Sequence, residues 1–206
     1  MKKPLLYLLI LVVAVLGSSC SQSSEGTFEV GKNTFLLNGE PFVVKAAEIH
    51  YPRIPKEYWE HRIQMCKALG MNTICIYAFW NIHEQKPGEF DFSGQNDIAA
   101  FCRLAQKNGM YIMLRPGPYV CSEWEMGGLP WWLLKKEDIQ LRTNDPYFIE
   151  RTRIYMNEIG KQLADRQITR GGNIIMVQVE NEYGSYATDK SYIAKNRDIP
   201  VSYTHL

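Results

Sequence analysis

Four short apolar runs alternate with segments of helical periodicity along this chain. That alternation constrains the fold more than any other feature. The runs cover residues 43–49, 73–80, 111–114 and 174–179. They are rich in β-branched and aromatic residues, which suit a pleated surface packed on both faces. After the first run, Trp59, Ile63, Cys66 and Leu69 recur at helical spacing, and Gly70 ends the pattern. After the second, Ile98, Phe101, Cys102 and Ala105 do the same, with Asn108-Gly109 as the stop. Asp145 and Pro146 offer an N-cap and a first-turn proline to a third helix carrying Phe148, Tyr155, Ile159 and Leu163. Strand and helix in regular alternation predict a parallel sheet with helices outside it. Ahead of the alternation, residues 27–44 predict a hairpin that turns at Asn38-Gly39.

Two parallel architectures fit this order. A doubly wound sheet keeps its ligand contacts in Gly-rich turns, and no G-x-G-x-x-G follows the first run. A TIM (β/α)8 barrel instead gathers functional groups at the C-terminal end of every strand. Here each run ends in such groups: Glu48, His50 and Tyr51; residues 77–84; residues 115–119; and residues 180–182. The predicted class is therefore α/β, a TIM (β/α)8 barrel of which about the first four β/α units are present. Four strands would leave an open parallel edge that natural folds avoid, and a barrel takes roughly 250 residues. The sequence is therefore expected to be part of a longer one, with residues 27–200 forming the N-terminal half of the barrel. Residues 201–206 read as the translation of a sequencing adapter, the alternative being an ordinary loop.

Residues 1–19 carry the marks of an export signal. Lys2 and Lys3 precede an apolar stretch from Leu5 to Leu16, and Gly17, Ser18 and Ser19 precede Cys20. A cysteine after small residues fits a bacterial lipoprotein, with Cys20 lipidated and residues 20–26 as a polar tether. Gly17 departs from that pattern, where a larger aliphatic residue is usual, and plain secretion is the alternative. The expected location is the bacterial cell envelope, at a membrane only through that N-terminal anchor. The net charge is +1, or −1 without Lys2 and Lys3, and no basic stripe is visible, so a nucleic-acid partner is not expected. Cys66, Cys75, Cys102 and Cys121 lack paired metal spacing and read as small apolar thiols rather than disulfides. His50 and His83 lack a third ligand at suitable spacing, so hydrogen bonding is expected of them rather than metal binding.

Four motifs carry more: EIHYPR at 48–53, WNIHE at 80–84, RPGPYVCSEWEMGGLP at 115–130 and VQVENEYG at 177–184. With them, the chain resembles the N-terminal half of the catalytic barrel of glycoside hydrolase family 35, the β-galactosidase family. The resemblance covers about residues 30–190. Small departures are Phe79 and Gln85, where many members have proline, and Ser122, where alanine is common. The resemblance implies hydrolysis of terminal β-galactose from oligosaccharides or glycans by a retaining, exo-acting enzyme without a cofactor or metal. It assigns Glu182 as general acid/base and Asn181 as the amide that bonds the sugar 2-hydroxyl. It places Tyr77, Cys121, Ser122 and Glu123 against the sugar. The second carboxylate that such chemistry requires matches no residue here, so the chain alone is expected to be inactive. Two alternatives stand beside this: another exo-specificity such as β-glucosaminide cleavage, and a catalytically inactive glycan-binding lipoprotein.

Other residues have plainer readings. Glu180 is expected to be structural, on the same strand as Glu182 and facing the same side, but deeper. Glu84 is expected to be an inner partner rather than a catalyst. Arg53 and Arg115 are expected to anchor buried carboxylates. Trp131 and Trp132 could form a sugar platform or pack in the core. Residues 135–138 read as a solvated surface stretch.

Overall fold

The computed structural model describes residues 25–201. The expected export signal, Cys20 and most of the expected tether lie outside the described residues, as do residues 202–206. Three short strands open the chain: β1 (Phe28–Val30), β2 (Phe35–Leu37) and β3 (Glu40–Phe42). They form an antiparallel sheet in that order. The β2–β3 turn is Asn38-Gly39, with φ of 53° and 82°. Both central residues are left-handed, the geometry that Asn-Gly favours in a two-residue hairpin. Phe28 stacks on Phe35 at 5.1 Å, and Phe42 meets Tyr111 edge-on at 5.4 Å. The small sheet thus leans against the N-terminal end of a strand in the second sheet.

That second sheet is parallel, in the order β4 (Ala46–Glu48), β5 (Thr73–Tyr77), β6 (Tyr111–Arg115), β7 (Ile174–Val177). Three helices connect its strands: α1 (Trp59–Ala68), α2 (Ile98–Lys107) and α3 (Pro146–Leu163). A fourth, α4 (Lys190–Val201), follows β7. This is the strand–helix alternation of a (β/α)8 barrel, with four of its eight strands present. Among the described residues, β4 and β7 each have one neighbour only.

The helices begin where their caps allow. Asp97 accepts from the Ala100 N–H at 2.7 Å, and Asp145 accepts from the Tyr147 and Phe148 N–H groups at 2.9 and 3.0 Å. These bonds satisfy first-turn donors that have no partner inside the helix. Ile98, Phe101, Cys102 and Ala105 are fully buried, and Phe148, Tyr155, Ile159 and Leu163 line the inner face of α3. Trp80 stacks on Tyr155 at 4.9 Å, and the Tyr155 hydroxyl donates to the Ala78 carbonyl at 2.8 Å. One aromatic pair thus fastens α3 to the end of β5.

The elements differ from the sequence expectation in four places. The first strand is three residues long rather than seven, and the second stops at Tyr77 because a one-turn helix (Trp80–His83) begins beyond it. The fourth stops at Val177, although the Gln178 N–H still reaches the Leu114 carbonyl at 2.9 Å. Leu69 is 75% exposed, because α1 ends at Ala68 and turns away from the core. The four described cysteines are free thiols; Cys102 is buried, while Cys66, Cys75 and Cys121 are partly buried.

Candidate active site

The C-terminal ends of β4 to β7 bring Glu48, Tyr77, Arg115 and Asn181 side by side. Tyr77 closes β5 and donates its hydroxyl hydrogen to Glu48 Oε2 at 2.6 Å. Burial, then this bond to a carboxylate, push the Tyr77 phenol up to about 12. Arg115 closes β6, and its guanidinium lies 4.3 Å over the Tyr77 ring. One of its nitrogens donates to the Tyr77 oxygen and another to Asn181 Oδ1. The Asn181 amide therefore has its carbonyl end occupied and its NH2 end available.

Beyond β7 the backbone turns sharply. Glu180 and Glu182 have φ of 59° and 49°, in the left-handed region that costs a residue with a Cβ about 1–3 kcal/mol. The two carboxylates are therefore not successive inward residues of one strand, as the sequence suggests, because the strand has already ended. Glu180 is buried with every direction used. Arg142 forks onto it at 3.1 and 2.7 Å, the Tyr192 hydroxyl donates at 2.8 Å, and the Asn181 N–H donates at 2.7 Å. Arg142 also donates to the Asn181 carbonyl at 2.6 Å. Burial works against the Arg142 charge, but the paired Glu180 outweighs it and raises the pKa. Asn181 is thus fixed at its N–H, its carbonyl and its side chain. Glu182 is exposed, and among the described residues no side chain hydrogen-bonds its carboxylate.

The loop after β6 forms the facing wall. Cys121, Ser122 and Glu123 have φ of 60°, 58° and 45°, three consecutive left-handed residues without a glycine. Such outliers concentrate at functional sites, where surrounding contacts hold the strain. Ser122 is buried and donates to the Val120 carbonyl at 2.9 Å. The Glu123 carbonyl accepts from Arg53 at 2.6 Å, while its side chain is exposed. Trp124 stacks on Phe79 at 4.2 Å and donates to Asn81 Oδ1 at 3.0 Å. Gly127 lies against the face of Tyr119, where a Cβ would fall 2.0 Å from a ring carbon. Only glycine allows that approach.

Several expected anchors are different residues. Arg115 pairs with the half-exposed Glu48 at 3.7 Å, and Arg53 packs over Trp124 at 4.6 Å with no carboxylate partner among the described residues. The buried carboxylates are held instead by Arg142 on Glu180 and by Arg151 on Glu84. Glu84 is also bonded by Trp80 Nε1 at 2.6 Å and the Gly88 N–H at 2.7 Å, which makes it a structural hub. Trp132 is buried and donates to the Glu84 carbonyl at 2.9 Å, whereas Trp131 is exposed. His83 is buried between the Tyr51 hydroxyl at 2.7 Å and the Asp91 carbonyl at 2.9 Å. Among the described residues no three His, Cys, Asp or Glu side chains gather as a metal site. Arg142 and Tyr192 have no motif around them to mark their role. Their partner Glu180 lies 38 and 12 residues away, so only the fold reveals the contact.

A parallel sheet with a phenol, a guanidinium, an amide and carboxylates at its strand ends defines a protein of the TIM-barrel class. The solved structures agree on the fold. An exo-β-1,4-mannosidase from an Opitutaceae bacterium superposes with a TM-score of 0.60 at 19% identity, covering 87% of this chain and 32% of that one. GH5_18 from Streptomyces cattleya gives 0.59 at 15% identity, covering 79% and 41%. The family model for glycosyl hydrolases family 35 matches residues 34–204, and the chain belongs to that family. A β-galactosidase from Xanthomonas manihotis is 45% identical over 94% of this chain, and one from Felis catus is 44% identical over 90%. The chain spans 32% and 28% of the lengths of these two relatives.

Proposed function

We propose that this chain is the N-terminal part of the catalytic barrel of a retaining, exo-acting β-galactosidase. One observation carries the reading: relatives named β-galactosidase, bacterial and animal, match at least nine-tenths of the chain at 44–45% identity. In this reading Glu182 is the general acid/base. It gives its proton to the glycosidic oxygen, then takes one from the water that releases the sugar. Its exposed carboxylate leaves room for a leaving group. Asn181 offers its NH2 to the sugar 2-hydroxyl, since Arg115 holds its other end. Tyr77, whose hydrogen is committed to Glu48, meets the sugar as an acceptor. Ser122, Cys121 and Glu123 border the sugar through their left-handed loop. No cofactor or metal takes part.

The nucleophilic carboxylate, about 5–5.5 Å from the acid in retaining enzymes, lies in this reading on a later barrel strand outside this chain. The chain expressed alone is therefore expected to hydrolyse no galactoside, whereas the longer protein does. Cys20 lipidation would hold that protein at the bacterial envelope. The test is galactose release from aryl β-galactosides by the longer protein and its Glu182→Gln variant. Loss of about 10²–10⁴-fold in kcat is expected for the variant. The reading is overturned if no galactose is released, or if Glu182→Gln changes nothing.

A further inference from the structure

We propose that Glu48 is a specificity-determining residue of this site, accepting hydroxyl hydrogens from the terminal sugar that docks beside Tyr77. The inference rests on the functional reading above and extends it to a residue to which that reading gives no role. Glu48 ends β4, the first strand of the parallel sheet, so it stands where barrel proteins place their ligand contacts. Its side chain is 48% exposed, whereas the carboxylates of Glu84 and Glu180 are at 0%. Glu180 takes four donors and Glu84 three, whereas Glu48 takes two.

Glu48 is instead held from one side. Tyr77 donates to Oε2 at 2.6 Å and the His50 Nε2–H to Oε1 at 3.1 Å, with Arg115 3.7 Å from Oε2. Two donors, one on each oxygen, fix the rotation of the group. Each oxygen can take a second donor. The neighbouring groups offer less, since Tyr77 is a neutral acceptor that already takes a bond from Arg115. The Tyr77 hydrogen is already given to Glu48, and Arg115 is a donor only. With Glu182 assigned to the glycosidic oxygen, Glu48 is a further carboxylate at these strand ends with directions left open, and adjacent hydroxyls of a sugar ring are donors of matching chemistry. A site built to accept a particular hydroxyl discriminates strongly against an analogue lacking it.

The test uses the longer protein, aryl β-galactoside, its monodeoxy analogues, and the variants Glu48→Gln and Tyr77→Phe. Glu48→Gln is expected to lower kcat/KM on the complete sugar by roughly tenfold to a hundredfold, the range of a hydrogen bond to a charged group. For the analogue lacking the partner hydroxyl, the substitution should cause little further loss, and the effect of Glu48 should persist in Tyr77→Phe. The half-exposed position should leave the thermal midpoint near that of the unmodified protein. A loss equal on every monodeoxy analogue, or one that vanishes in Tyr77→Phe, overturns the inference and makes Glu48 a support for Tyr77. Cleavage of a different β-glycoside corrects the functional reading alone, and the same comparison then runs on that sugar. If nothing is cleaved, calorimetric binding of free galactose and its monodeoxy forms decides the inference by the same criterion.

Discussion

Glu180 and Glu182 stand one residue apart and meet opposite surroundings. Glu180 has four donors on a carboxylate that water does not reach, and Glu182 has an open face. The difference comes from left-handed backbone at both positions, which releases the alternation that a strand would impose. Arg142 sustains the arrangement. It is 7% exposed, forks onto Glu180, and lies between the rings of Tyr119 at 4.0 Å and Tyr186 at 4.2 Å. Removing one partner of a buried pair leaves the other charged and desolvated. Arg142→Ala is thus expected to destabilise the protein by about 3–5 kcal/mol. Arg142→Ala with Glu180→Gln should recover part of that loss, because the stranded charge is gone. Chemical denaturation of the three proteins checks this, and a double variant no more stable than Arg142→Ala would contradict it.

At the scale of elements, the helices are the most legible part of the sequence. Their buried faces follow the 3.6-residue period of Trp59 and Ile63, of Ile98, Phe101, Cys102 and Ala105, and of Phe148, Tyr155 and Ile159. The cap at Asp145 is legible for the same local reason, since a carboxylate before a first-turn proline has one purpose there. Asp145→Ala should cost about 1 kcal/mol, within a range of roughly 0.5–2, read as a lower midpoint in urea with an unchanged slope. The strand ends are less legible. Apolar residues continue past Tyr77 and Val177, yet the backbone leaves the sheet, because the end of a strand depends on neighbours distant in sequence. The left-handed turn at Cys121, Ser122 and Glu123 is hidden for a related reason. Nothing in a Cys-Ser-Glu string announces positive φ; tertiary contacts impose it. For the site, the motif resemblance supplies Tyr77, Asn181 and Glu182, whereas Arg142, Tyr192 and the orientation of Glu48 need the fold.

Between pH 6.5 and 4, the response of the molecule to acid includes a contribution from His83. It is fully buried within the aromatic and apolar packing, where Tyr51 and Phe92 flank its ring. Its Nδ1–H donates to the Asp91 carbonyl, so Nε2 is the acceptor for the Tyr51 hydroxyl and the ring is neutral. Burial, the largest cause, lowers its pKa from 6.5 to about 4, against smaller opposing effects of Asp91. Between those values the unfolded chain binds a proton that the folded chain does not. Stability is therefore fully present above pH 6.5 and is lost progressively as pH falls toward 4. At 1.36 kcal/mol per unit, the loss reaches about 3 kcal/mol. The segment at stake joins α1, β5 and the loop that carries Glu84, so its opening would release the strand ends together. His83→Gln supplies a donor and an acceptor without titrating. It is expected to start less stable at pH 7 and to lose less between pH 6.5 and 4 than the unmodified protein. Denaturation midpoints across that window measure the difference, and parallel pH profiles for the two proteins would show that His83 does not control it.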